Sequence, residues 1–195
     1  MWIAGVPKFD VTSFAGEVWR LAEDQATIAT MRVVDTLSEQ ELLERAIEAT
    51  KPAFPEACKD FHFLIATPFR YAPYPAGSRF RRASQADGVF YASDLVGTAV
   101  AESAFYRTLF IAEAPGMPLP QRSVSHTAFS VRITTDSAID LTSEPLVADA
   151  SQWTHPTDYG ACQDQADEAR RQDISTPAPP IRLFGLAKNR RPHSG

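Results

Sequence analysis

Apolar residues recur at helical spacing near the start of the chain. Phe14, Val18 and Leu21 come after Ser13, a residue type that caps helix N-termini. The pattern predicts a helix there, behind a turn signal at Gly5-Val6-Pro7. Ser38 and Glu41 have the spacing of a capping box, and Leu42, Leu43, Ala46 and Ile47 give the next helix an apolar face that ends before Pro52. Residues 1–55 therefore read as a helical N-terminal extension packed on the rest of the chain, because neither helix can bury its face alone.

Beyond residue 55 the period changes. Residues 62–67 (HFLIAT) read as a strand running into Pro68, and Pro73, Pro75 and Gly77 make a loop. Residues 88–93 (GVFYAS) read as a short strand, with Asp94 capping a helix over about 95–112 that offers Ala99, Ala101, Ala104, Phe105, Leu109 and Phe110 for burial. Thr127, Phe129, Val131 and Ile133 alternate with polar residues, the signature of a half-buried strand, and Ile139 and Leu141 are candidates to extend the sheet. Asp158 is placed to cap a helix over about 159–172 carrying Ala161, Ala166 and Ala169. Residues 173–195 are proline-rich and basic, an atypical tail that is either disordered or a short strand at 181–184. Residues 56–195 read as a second unit that mixes helices and strands.

A length of 195 residues bounds this at one domain, or a domain with an appendage. Such a chain buries roughly two-thirds of its unfolded surface and needs no covalent staples. The net charge of -5 argues against general nucleic-acid binding while leaving room for a local basic pocket. Cys58 and Cys162 lie far apart, outside any CxxC motif, and read as reduced thiols. No apolar run is long enough for a membrane span, and the N-terminus lacks the pattern of a secretory signal. Together these features place the expected site of action in the cytoplasm.

The chemistry concentrates between Thr67 and Arg107. Arg70, Arg79, Arg81 and Arg82 precede Tyr91, and Glu102 comes later, inside an apolar helix. Guanidinium groups hold a pyrophosphate through paired hydrogen bonds, and Arg70 and Arg79 flank loops, where sites often sit. Ordinary surface arginines are the competing reading. A carboxylate such as Glu102 accepts hydrogen bonds from ribose hydroxyls and stabilises an oxocarbenium-like state. It equally fits a helix residue paired to an arginine. Tyr91 offers a ring for stacking and a hydroxyl, or serves as plain core. His126 with Ser123 or Ser125 lacks an elbow motif, and no Walker loop, GxGxxG or HExxH occurs.

The order of these elements resembles the RES-domain family, toxins of bacterial toxin–antitoxin pairs. Arg70 and Tyr71 in PFRY, Arg79 and Arg81 in GSRFR, Tyr91 in GVFYAS and Glu102 in TAVAES match the family's elements over about residues 60–172. The resemblance implies an α+β, ADP-ribosyltransferase-like fold, a split mixed β-sheet with flanking helices around an NAD cleft and an added helical N-terminal layer. It implies NAD as substrate, with no metal, cleaved at the nicotinamide ribosyl bond. ADP-ribose then passes to a protein, or to phosphate or water. It assigns Glu102, Arg70 and Tyr91 to catalysis, and Arg70, Tyr71, Arg79, Arg81, Tyr91 and Glu102 to NAD binding. It implies a small helix-turn-helix-like antitoxin whose C-terminal part blocks the cleft in a hetero-oligomer. One departure stands out: the family serine falls on Gly185, and Ser175 lacks the motif context. A catalytically impaired, antitoxin-binding form is therefore a further reading.

Overall fold

Two long antiparallel strands form the frame on which the helices pack. This computed structural model describes residues 11–23, 33–71, 75, 77–83, 85–116 and 123–172. Its strands are β1 (Thr12–Glu23) and β2 (His126–Ala138), paired so that Gly16 faces Ile133, Val18 faces Val131 and Arg20 faces Phe129. Its helices are α1 (Leu37–Thr50), α2 (Phe63–Arg70), α3 (Val96–Glu113), α4 (Ala150–Trp153) and α5 (Gly160–Arg171). The fold is α+β, as expected, and the described sheet is a two-stranded antiparallel ribbon. A two-stranded ribbon is marginal alone. Here α3 packs on β1, and the main-chain groups of Trp19 exchange hydrogen bonds of 2.7 and 2.8 Å with Ser93.

Two apolar clusters hold these elements together. The first joins Val18, Cys58, Ala66, Phe69, Phe90 and Ile133. The second joins Phe80, Cys162 and Ala166, with Tyr91, Leu141 and Trp153 packed on it. Phe90 and Tyr91 are neighbours that enter different clusters, so the segment between Gly88 and Ser93 stitches the two together. Phe80 and Phe90 are fully buried, and each burial contributes about 1.5–3 kcal/mol.

Several expected elements are corrected. Residues 12–23 form a strand, not a helix. Phe14 and Val18 share a face in either period, and the alternation of Phe14, Gly16, Val18 and Arg20 beside Phe129 and Val131 of β2 decides the outcome. Residues 63–70 form a helix rather than a strand, because Ile65, Ala66 and Phe69 bury one helical face. Pro68 sits inside that helix, and His62 Nδ1 caps it by accepting the Leu64 N–H at 3.4 Å. Residues 88–92 form no strand, and Ser93 makes only the isolated bridge to Trp19. The capping box of α1 is Thr36 with Glu39, two residues earlier than expected. On α1, Leu42 and Ile47 are exposed, whereas Gln40 is buried and Leu43 is half-buried.

The later expectations fare better. The predicted helix over 95–112 and strand from Thr127 are α3 and β2, although Asp94 does not cap α3 and Ile139 and Leu141 lie beyond β2. The predicted last helix is α5, and the Asp158 carboxylate accepts the Gly160 N–H at 2.9 Å. Gly5, Pro73, Ser175, Gly185 and the tail 173–195 fall outside the described residues.

Candidate active site

One glycine shapes the turn that carries Arg79. Gly77 has φ +71°, and a Cβ there would stand 2.6 Å from the Arg81 carbonyl oxygen. Ser78 and Arg81 close the turn, with Ser78 N–H donating at 2.7 Å and Arg81 N–H at 3.2 Å. Phe80 is driven inward and Arg79 projects toward the α4–α5 junction. There Arg79 Nη1 donates to the carbonyls of Trp153 at 2.8 Å and His155 at 2.9 Å, and its guanidinium lies 4.7 Å from the Tyr159 ring centre.

Tyr91 pins the same turn. Its hydroxyl lies 2.7 Å from Ser78 Oγ and accepts the Phe80 N–H at 3.2 Å. Its carbonyl accepts from Arg20 Nη1 at 2.9 Å. Arg81 spans three carbonyls, those of Ala86 at 2.8 Å, Gln85 at 3.3 Å and Tyr71 at 3.4 Å. Burial pushes the pKa of Arg81 down, and the nearby Tyr91 and Asp87 oppose that. Tyr71 itself is exposed at the end of α2.

Glu102 is exposed on α3 and makes no ion pair among the described residues. Its field reaches two neighbours. Arg20 has its pKa lowered by burial, and Glu102 opposes the shift. Tyr106, one turn further along α3, has its pKa raised by burial first, then by Tyr159 and Glu102. Tyr159, whose hydroxyl donates to the Pro156 carbonyl at 3.1 Å, is also the ring beneath Arg79. A different face of α3 borders an open recess of about 400 Å³, between Val100, Ser103 and Arg107 of α3 and Leu21 and His126 of the sheet, which neither Glu102 nor Tyr91 lines.

Short contacts join Tyr91 to the turn that carries Arg79 and Arg81, and Glu102 on α3 acts through its field on Arg20 and Tyr106. The structure does not bring Arg70 or Arg82 to them. Arg70 is paired to Glu48, and Arg82 to Asp164 and Asp167. Arg20 was missed in the sequence because its segment read as a helix. The available signal was the two-residue alternation that sets Arg20 on the same face as Val18. The cluster combines guanidinium groups, phenols and one carboxylate with no ion pair among the described residues. That set suits an anionic ligand bearing a sugar with developing positive charge.

The family model for the RES domain matches residues 54–178, most of the chain. The chain belongs to the RES-domain family. Membership associates it with NAD-using, toxin-type chemistry. The match takes in Arg70, Arg79, Tyr91 and Glu102 and leaves β1 outside. No curated protein sequence matches the chain. Among the described residues, no group of His, Cys, Asp or Glu side chains is placed to hold a metal, and no helix is long and apolar enough to cross a membrane.

Proposed function

We propose that this RES-domain protein is a cytoplasmic toxin that cleaves NAD at the nicotinamide ribosyl bond and transfers ADP-ribose to a protein. The observation that carries the reading is Glu102, a carboxylate without an ion-pair partner among the described residues, set within the field of Arg20 and one turn from Tyr106. Glu102 binds the ribose hydroxyls and stabilises positive charge on the sugar as the C1′–N bond breaks. The bonding pair leaves with nicotinamide, which departs neutral. The acceptor's nucleophilic atom then bonds to C1′ and releases one proton. Tyr91 holds the Arg79 turn through its hydroxyl, and Arg79 and Arg81 shape the wall beside it.

The antitoxin is proposed to cover the same face. In support, Phe105, Leu109 and Phe110 of α3 are exposed beyond Glu102. Such a row of large apolar residues marks an interaction surface.

Nicotinamide release from NAD by the purified chain tests the reading, with phosphate or a cell lysate each added or omitted. Glu102→Ala is expected to lower release by roughly 10²–10³-fold. Labelled protein in the lysate arm supports transfer to protein, whereas a phosphate requirement identifies phosphorolysis instead. Absence of release in every arm rejects the enzyme reading and favours an antitoxin-binding form.

A further inference from the structure

We propose that Arg20, on a strand outside the residues matched by the family model, is the residue that holds the substrate's diphosphate in this chain. The inference rests on the NAD-cleaving reading of the site. Its basis is a comparison of the arginines. Arg70, Arg82, Arg107, Arg170 and Arg171 each face a carboxylate of the chain. Arg79 and Arg81 are engaged by main-chain carbonyls that fix their loops. Arg45 and Arg132 also lack an ion pair among the described residues, but both are exposed, whereas Arg20 is half-buried. Arg20 donates one hydrogen bond, to the Tyr91 carbonyl at 2.9 Å, and has no ion-pair partner among the described residues. A guanidinium has five N–H donors, so most of its bonding capacity is unused.

The cation is nevertheless held in place. It lies 5.2 Å from the centre of the Phe90 ring, which is fully buried, and Arg20 stands opposite Phe129 in the ribbon. A half-buried, oriented guanidinium that Glu102 offsets only through its field, with no ion pair, gains from an anion that takes its free donors. None of its nitrogens is sealed from solvent without a partner, so the free donors are accessible to a ligand. A diphosphate accepts such a fork through two oxygens. Tyr91 and Glu102 flank the same group, which sets the diphosphate beside the carboxylate that takes the ribose. Burial lowers the pKa of Arg20, consistent with a charge that gains from an added anion.

The test uses the full chain at low ionic strength, with inorganic pyrophosphate and ADP-ribose as calorimetric probes and NAD and nicotinamide riboside as substrates. Arg20→Gln keeps one donor for the Tyr91 carbonyl and removes the charge. It is expected to weaken pyrophosphate and ADP-ribose by roughly 10–100-fold, to raise the KM for NAD similarly, and to lower nicotinamide riboside turnover far less. Arg20→Lys keeps the charge without the fork and is expected to fall between the two. It also carries the test alone should Arg20→Gln not fold. Wild-type binding of pyrophosphate by a folded Arg20→Gln protein overturns the proposal. An equal loss for nicotinamide riboside also overturns it, since that substrate has no diphosphate. Absence of pyrophosphate binding by the wild type does the same. Pyrophosphate binding that depends on Arg20, with no nicotinamide release from NAD, leaves the anion site standing and rejects the NAD-cleaving reading alone.

Discussion

Arg70 and Glu48 form an ion pair of 2.7 Å that fastens the last turn of α2 to the last turn of α1. The Arg70 side chain is only 9% exposed, its Nε donates to the Pro52 carbonyl, and its guanidinium lies 4.3 Å from the Phe54 ring centre. Such an arginine is a structural tie with little left to offer a phosphate. Arg70→Ala is therefore expected to destabilise by about 2 kcal/mol, a fall in Tm of roughly 4–8 °C. The KM for NAD should stay within about twofold below the unfolding range. A large KM change in a folded Arg70→Ala protein would return Arg70 to the site.

The same tie has a pH signature. Hydrogen bonds from Lys51 and then Arg70 hold the Glu48 carboxyl below its ordinary pKa. Its stabilising effect is complete above the ordinary carboxylate range and fades as pH falls through the lowered value. Thermal unfolding of Glu48→Gln and wild type should therefore differ at neutral pH and converge in acid. A difference that grows in acid contradicts this.

Tyr91→Phe isolates what the tyrosine hydroxyl does. It would strip a partner from Ser78 Oγ and remove the acceptor that stands 3.2 Å from the Phe80 nitrogen. The expected cost is about 1–3 kcal/mol, read from denaturant unfolding. The Arg79 turn loosens with it, so NAD cleavage should fall together with stability. Retained stability with lost cleavage would instead place the hydroxyl on the substrate.

Segments that carry their own stabilising pattern were legible in the sequence. β2 shows alternation, and α5 shows a buried face of Cys162, Ala166 and Ala169 behind the Asp158 turn. The motif order around Tyr91 and Glu102 was legible because those residues lie close together in sequence. Two segments were misread because tertiary contacts decide them. Residues 63–70 are an apolar run whose length fits either element, and only the packing of Ala66 and Phe69 makes it a helix. β1 is a strand because β2, more than a hundred residues later, pairs with it. That error hid Arg20, since a site residue cannot be found on an element read with the wrong period. The partners of Arg70 and Arg82 were equally invisible, because each comes from a different element.

Gly88 reports on the segment that stitches the two cores. A Cβ there would stand 2.6 Å from Phe69 Cα and 2.7 Å from the Pro68 carbonyl oxygen. The backbone of α2 cannot yield that distance without moving Phe69 out of the first cluster. Gly88→Ala is expected to cost about 1–3 kcal/mol through overpacking. Because Val89, Phe90 and Tyr91 come directly after it, the change should also weaken the Arg20 bond to the Tyr91 carbonyl. Gly97 is the control: nothing lies within 4 Å of a Cβ there, so Gly97→Ala should be neutral or stabilising in the helix. Equal behaviour of the two variants would remove the close approach as the cause.

The two thiols give the last prediction, and its sign comes from burial. Cys58 and Cys162 are free, buried, and raised in pKa, chiefly by desolvation; for Cys162 the Arg79 guanidinium opposes the rise. A thiol whose pKa is raised on folding contributes stability that is complete below its ordinary pKa and is lost as pH rises through the folded value. Tm should therefore fall on the alkaline side more steeply in the wild type than in a Cys58→Ala, Cys162→Ala double variant. In the native protein both thiols should resist a disulfide reagent at mildly alkaline pH and react on unfolding. Arg79→Gln removes the one opposing charge, so it should slow the residual reaction of Cys162 and leave Cys58 unchanged. Faster Cys162 reaction in that variant would mean the Arg79 bonds to Trp153 and His155 seal the α4–α5 junction more than they shift the thiol.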